Sequence, residues 1–563
     1  MSRTMVIGLD GASLELIEPW ARAGYLPNLM RLMTYGSYGH LRSVMPVLSS
    51  AAWVSFATGV NPGRHGIYDF VQRDLTTYKR KLVYGGATIS QPSLWKQLSD
   101  LGKRVIVCNV PMTYPVEPVN GILIAGLGTP DHRPFAYPQL LNDALAQKGY
   151  RVNKRFHFVP GREHEYLDEI YAITDLQAQN ALELARREPW DFFMHVVREP
   201  DEIAHFYWRF MDQTHPQHDT GASQRFKNAI FDYYCHVDQW VGRFVEVAGD
   251  DTDIIIISDH GSGPLYKDVM LNRWLEEKGY LKLKNNTSRS SSIKSLLARL
   301  GLHRQRISDT LRSVGLGKLE SLIKEILGDR IQILAANERQ EMSELVDWSQ
   351  TRAYSFGYHG QIYLNLSGRE HDGIVEASDY DNLCRQIASQ LTELIDPIDA
   401  QKVVTQIFLR EELFRGEKLD WSPDLTVVMR DLAYITRQGY EFSDADDNLF
   451  AIPHTGESGS HREMGVLIAC GPSLVNAGYL ADPPSIIDIA PTVLALLTQT
   501  DSLDRMDGKI LLRLFKNQKE ELLMPQNDKM TVNSYATPPE ENRLEESDEA
   551  VLWQQLRSLG YVE

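Results

Sequence analysis

The chain has 563 residues, 43% of them hydrophobic, and a formal net charge of −17. That length exceeds one ordinary core and implies two or more domains, or one large α/β domain with insertions. The composition excludes a disordered chain. The excess of acid argues against a nucleic acid polymer as partner, but leaves room for an anionic small substrate held by local charges and bound metal.

In chain order, the first apolar run, Met5–Leu9, ends in Asp10-Gly11. It is too short for the core of a secretory signal and reads as a strand. The pattern Pro92–Leu101 predicts a helix, with Ser90 as its start signal. Strands are predicted at Arg104–Val110 and Gly121–Ala125, a helix at Thr174–Arg187, and further strands at Trp190–Val197, Thr252–Ser258 and Gly465–Cys470. Each strand run is nearly continuous in apolar residues, as suits strands covered on both faces. Alternation of strands and helices predicts an α/β fold, with a mostly parallel central sheet flanked by helices. Gly360–Asn365 reads as an edge or cap strand.

The segment from about Asn285 to Gln340 opens on a polar, serine-rich stretch and continues with apolar and basic residues at helical spacing. It predicts a helical insertion or cap, whose basic face could be merely solvated, gate the substrate, or touch an anionic surface. Pro525–Glu549 reads as a flexible tail, followed by a short amphipathic segment, Ala550–Tyr561, that docks back. The expected organisation is a first part of the catalytic core at 1–284, the insertion at 285–345, a second part of the core with cap elements at 346–515, and the tail at 516–563. Cys108, Cys235, Cys384 and Cys470 are scattered, without a CxxC pair, and read as free thiols of a reducing compartment. No stretch approaches the roughly 20 apolar residues that span a bilayer, so a soluble, cytoplasmic protein is expected.

Three strands end in polar residues of one kind: Asp10 after the first, Asp201 and His205 shortly after Trp190–Val197, and Asp259-His260 after Thr252–Ser258. Ligands of open α/β sheets bind beyond the carboxyl ends of the strands, so these residues are candidates for one site. Asp201 and His205, four apart, share a face if helical. With His461 they make a mixed oxygen and nitrogen set, which suits zinc or manganese better than calcium or magnesium. Any of these residues alone has an ordinary reading, as an N-cap or a satisfied histidine. Ser49 precedes a helical stretch and alone would read as an N-cap, but exposed N–H groups at a helix start also stabilise phosphate oxygens.

Gly8-Leu9-Asp10-Gly11, the stretch Ser49–Gly66 with Thr58-Gly59, Asp201 with His205, Ser258-Asp259-His260-Gly261 and Gly459-Ser460-His461-Arg462 occur in this order. Together they resemble the alkaline phosphatase superfamily, and within it the type I phosphodiesterase/nucleotide pyrophosphatase family and its phosphohydrolase or phosphomutase relatives. The resemblance runs from about Met5 to Gly508 and includes Asp488-Ile489-Ala490-Pro491-Thr492 and Met506-Asp507-Gly508. It implies two divalent cations, zinc or alternatively manganese. Asp201, His205 and His461 would hold one; Asp10, Asp259, His260 and the Ser49 oxygen would hold the other. It also implies that Ser49, rather than Ser50, is the nucleophile of phosphoester hydrolysis through a phospho-serine, on a phosphorylated small molecule or a glycan- or lipid-linked substrate. A phosphomutase and an inactive metal-binding scaffold are the alternatives. Family phosphodiesterases usually carry Thr at the nucleophile and Asn three residues later, where this chain has Ser49 and Ala52; the missing amide puts diester specificity in question. Ala51 and Trp53 break the sulfatase pattern. His65 and Asp69 read as loop anchors, His454 as a residue that could face substrate, and Trp53 as either a stacking platform or a packing residue.

Overall fold

The computed structural model describes residues 3–85, 89, 91–284, 342–436, 448–453, 456–498, 506–516 and 546–558. Its main element is a nine-stranded sheet made of β1 (Arg3–Leu9), β2 (Ser37–Arg42), β3 (Val105–Val110), β4 (Gly121–Ala125), β5 (Ala136–Tyr137), β6 (Phe192–Val197), β7 (Thr252–Ile257), β8 (Met464–Cys470) and β9 (Gly478–Leu480). The strand order is β9-β2-β8-β7-β1-β6-β3-β4-β5. From β7 to β4 all pairings are parallel. Strand β8 is antiparallel to both β7 and β2, β9 runs parallel to β2, and β5 is antiparallel to β4. The sheet is thus mixed and mostly parallel, as the alternation of elements predicted.

The continuous apolar runs have the expected physical cause. Met5, Ile7 and Leu9 of β1 face one apolar cluster and Val6 faces another, and Ile254 and Ile256 of β7 are divided in the same way from Ile255 and Ile257. A period of two with both faces covered leaves few polar positions in the strand. The first cluster lies under α2 (Glu163–Arg187), α3 (Glu199–Met211) and α4 (Ala229–Ala248). The second lies under α1 (Ser49–Thr58) and α5 (Ile489–Thr498).

Between β7 and β8 the chain leaves this sheet and builds a second, seven-stranded one from short segments that include Lys267–Val269, Ala353–Ser355, Gln361–Leu364, Leu425–Met429 and Tyr434–Thr436. The strand expected at Gly360–Asn365 belongs here, paired on both sides, with Ala353–Ser355 and with Leu425–Met429. This sheet has its own apolar core, around Trp274, Trp348, Tyr354 and Leu391. The C-terminal helix α6 (Glu546–Ser558) docks back, with Leu552 and Leu556 buried and Leu556 within that second core; it begins inside the stretch Pro525–Glu549 expected to be flexible, whose residues 525–545 lie outside the described ones. The predicted helix start at Ser90 is corrected to Ser93, whose side chain accepts the Lys96 N–H at 3.1 Å ahead of the helix Leu94–Asp100. The expected insertion at 285–345 falls, as far as residue 341, outside the described residues; Met342–Leu345 forms one helical turn. His454 also lies outside them.

Candidate active site

Strand order explains why distant residues meet. β1 lies between β7 and β6, so Asp10, at its carboxyl end, is flanked by Asp259 beyond β7 and Asp201 beyond β6. Gly11 has φ +65, and a Cβ there would lie 2.6 Å from Asp201 Cβ, so only glycine allows the turn that brings these acids together. His461 arrives through a short antiparallel ladder of Gly261–Pro264 with Gly459–Arg462, in which it pairs with Ser262. Asp201 and His205 sit one turn apart on α3.

All seven candidate residues converge in the interior. Asp10, Ser49, Asp259 and His260 are fully buried, Asp201 and His461 nearly so, and His205 is 9% exposed. Candidate ligand atoms of Asp10, Asp259 and His260 lie within 4.8 Å of one another, as do those of Asp201, His260 and His461. His205 Nε2 is 3.2 Å from Asp201 Oδ2 and 3.1 Å from His461 Nε2. Ser49, the first residue of α1, places its Oγ 3.3 Å from Asp10 Oδ1 and 3.1 Å from His260 Nε2. Ser50 is also fully buried, but its Oγ has no hydrogen-bond partner among the described residues.

The imidazoles share one arrangement. Nδ1 of His205, His260 and His461 lies 2.9, 3.1 and 2.7 Å from the carbonyl oxygens of Gly459, Gly261 and Val47. A carbonyl only accepts, so each Nδ1 carries a proton and each Nε2 is the nitrogen turned into the cluster. Histidines that ligate metals are held in this way by their second nitrogen. Two Nε2 lone pairs 3.1 Å apart repel unless a proton or a cation lies between them.

The carboxylates tell the same story. Burial, and then Asp259 and Asp201, push the Asp10 carboxyl well above its usual range, against the pull of the Trp53 hydrogen bond. Burial also raises Asp259. For Asp201 burial acts in the same direction, but His205 and His461 outweigh it and hold the group low. Burial opposes charge on His205, yet Asp201 lifts it to about 9. Burial and His260 depress His461. Three buried acids so close together need cations to compensate them. The donor set, with carboxylate oxygens and Nε2 atoms facing inward, fits two divalent cations.

Around this centre, Trp53 is fully buried and donates its indole N–H to Asp10 Oδ2 at 2.8 Å, so it packs and orients rather than offering a face to substrate. Ala52 sits in the apolar cluster beneath α1, so the departure at that position falls in the core. His65 donates from Nε2 to Ser55 Oγ (2.8 Å) and accepts the Ile67 N–H at Nδ1, and Asp69 accepts the Phe70 N–H at 2.6 Å; both anchor their loop. Sequence reasoning missed His359. This residue of the second sheet is buried, with its ring stacked on that of His461. Its only local signal was the pair of nearby glycines, Gly357 and Gly360.

No helix among the described residues is long and apolar enough to cross a membrane. No curated protein matches the chain. Among solved structures, phosphonoacetate hydrolase from Sinorhizobium meliloti 1021, in complex with phosphonoacetate, is similar in fold: 13% identity, TM-score 0.50, covering 88% of this chain and 96% of that one. Murine ectonucleotide pyrophosphatase/phosphodiesterase 5 has 12% identity and a TM-score of 0.45, covering 88% and 95%. The family model "Type I phosphodiesterase / nucleotide pyrophosphatase" matches residues 4–444. The chain belongs to this family of the alkaline phosphatase superfamily, and is a hydrolase acting on phosphoester bonds.

Proposed function

We propose that the protein hydrolyses phosphate esters through a phospho-serine on Ser49, with Asp201, His205 and His461 holding one divalent cation and Asp10, Asp259, His260 and Ser49 Oγ a second. The observation that carries this reading is the common orientation of the three imidazoles: each Nδ1 is held by a backbone carbonyl, and each Nε2 faces the buried acids around Ser49. When bound, such cations neutralise charge on the attacking and leaving oxygens of an in-line displacement. Ser49 Oγ attacks phosphorus, the leaving oxygen departs on the side of His461, and water then cleaves the phospho-serine. Asp10 and His260 flank the hydroxyl and fix its direction, and Trp53 fixes Asp10. The start of α1 presents backbone N–H groups to the phosphoryl oxygens.

Zinc is the cation best suited to this mixed donor set. The substrate class is a phosphorylated small molecule or a glycan- or lipid-linked phosphoester. The four cysteines, none in a disulfide, fit a reducing, cytoplasmic setting. The test is metal analysis together with turnover of a nitrophenyl monoester and a bis-nitrophenyl diester, for wild type, Ser49→Ala and Ser50→Ala. Ser49→Ala should abolish turnover while retaining metal. Loss of activity in Ser50→Ala with activity kept in Ser49→Ala would move the nucleophile by one residue. Phosphate transferred within one substrate, rather than released, would identify a mutase.

A further inference from the structure

The turn Arg430–Leu432 joins Leu425–Met429 to Tyr434–Thr436 in the second sheet and lies against Gly459–Arg462, the strand that carries His461. All three of its residues are left-handed, with φ of +48, +53 and +67. In that region the Cβ of an L-residue crowds the following carbonyl, and a bulky side chain such as that of Leu432 is seldom found there. Glycine would adopt these angles freely. Such a conformation persists only where its surroundings over-determine it. They do so here. The Arg430 N–H donates to Val403 O at 2.9 Å, its Nη2 reaches the two Asp399 oxygens at 3.0 and 3.1 Å, and the Asp431 N–H donates to Thr405 Oγ1 at 3.2 Å.

The leucine that occupies this crowded position is 3% exposed. It packs with Val47 and Val428 in a small apolar cluster, flanked by Met45 and Phe408 and separate from the three larger cores. Val47 is fully buried and belongs to the site in two ways. Its carbonyl accepts the Nδ1–H of His461 at 2.7 Å, and Ser49 follows it by two residues, at the start of α1. An imidazole ligand keeps its aim only as well as the acceptor of its other nitrogen is held.

We propose that Leu432 is a positioning residue for the reaction: by packing on Val47 it fixes the carbonyl that aims His461 Nε2 at the metal centre, and with it the entry of the chain into α1 at Ser49. Its effect passes through the Val47 backbone, so the second sheet supports the centre by packing. The inference rests on the reading of His461 as a metal ligand.

The test compares Leu432→Ala and Leu432→Met with Leu391→Ala, which truncates a fully buried leucine of the second core. Zinc binding to the metal-stripped protein is titrated in competition with a chelator of known affinity, beside melting curves and steady-state turnover of a nitrophenyl phosphate. Leu432→Ala should weaken zinc binding at one of the two sites by about 10-fold, the low end for a lost partner of a ligand, because it acts through that partner. Its kcat should fall by a similar factor while KM stays within about twofold. Methionine, close to leucine in volume, should restore both. Leu391→Ala should lose at least as much stability and keep zinc affinity and kcat. If either alanine variant fails to fold, valine at the two positions should show the same split, reduced in size. Unchanged zinc affinity on truncation of Leu432, an equal loss on truncation of Leu391, or no recovery with methionine would overturn the proposal. Full zinc affinity in His461→Ala would instead overturn the ligand assignment, so the two failures are distinguishable.

Discussion

Trp53 donates its indole N–H to Asp10 Oδ2 across 2.8 Å, from a position one helical turn beyond Ser49 on the same helix. One helix thus places the hydroxyl and orients the acid beside it. Trp53→Phe keeps most of the buried ring but leaves a buried carboxylate oxygen without its donor. A hydrogen bond to a charged group contributes about 1.5–3 kcal/mol, so kcat should fall about 10- to 100-fold. Steady-state kinetics with metal analysis checks this, and turnover within about twofold of wild type would show that Asp10 needs no such support.

Ser50→Ala should be silent in turnover. Its hydroxyl is fully buried without a hydrogen-bond partner among the described residues, so removing it relieves an unsatisfied group. Stability should stay level or rise by up to about 1 kcal/mol in a denaturant titration. A marked loss of stability would mean that the hydroxyl has a partner after all.

Asp69 gives a pH signature away from the metal centre. Burial lifts its carboxyl to about 7, against hydrogen bonds from Phe70 and Val71 that pull it down. The unfolded chain releases this proton near pH 4, while the folded chain keeps it until about pH 7. Between these values the native state binds more protons, so the contribution of Asp69 to stability falls as pH rises and levels off above 7. Asp69→Asn, still able to accept from the backbone, should gain on the order of 1–2 kcal/mol at pH 5 and on the order of 4 kcal/mol at pH 8. Melting curves at both values check it; a gain that shrinks with pH would contradict the sign.

The C-terminal helix α6 should be a stability element. Asp548 is fully buried and accepts from Arg133 Nε at 2.9 Å and Nη2 at 2.7 Å, with His132 also paired to it, while Arg80 lies over the Trp553 ring. Arg133 is 32% exposed and can rehydrate, so Asp548→Ala should cost about 1–3 kcal/mol rather than the full price of a broken buried pair. It should also expose α6 to limited proteolysis. Unchanged melting and unchanged cleavage would mean that α6 is held by its apolar face alone.

Much of the core and its ligand set was legible because both follow from burial. Strands covered on two faces, such as Thr252–Ile257, leave continuous apolar runs, and the acids stand where those runs stop. Ser37–Arg42 was not legible, since its two large apolar residues, Tyr38 and Leu41, are three apart and show no period of two, and it pairs only with strands beyond residue 460. The second sheet was largely hidden for a related reason: segments as short as Lys267–Val269 and Tyr434–Thr436 carry no periodicity, and distant pairing defines them. His359 owes its place to such a pairing. Trp53 had two readings in sequence, and only its bond to Asp10 separates them.

The most direct measurement is to quench turnover of a nitrophenyl phosphate with acid and map phosphorylation by peptide mass spectrometry. A phosphate on Ser49, formed in wild type and in Ser50→Ala but not in Ser49→Ala, is the expected result. Phosphate on Ser50, or rapid turnover in Ser49→Ala with no phosphorylated serine, would contradict it.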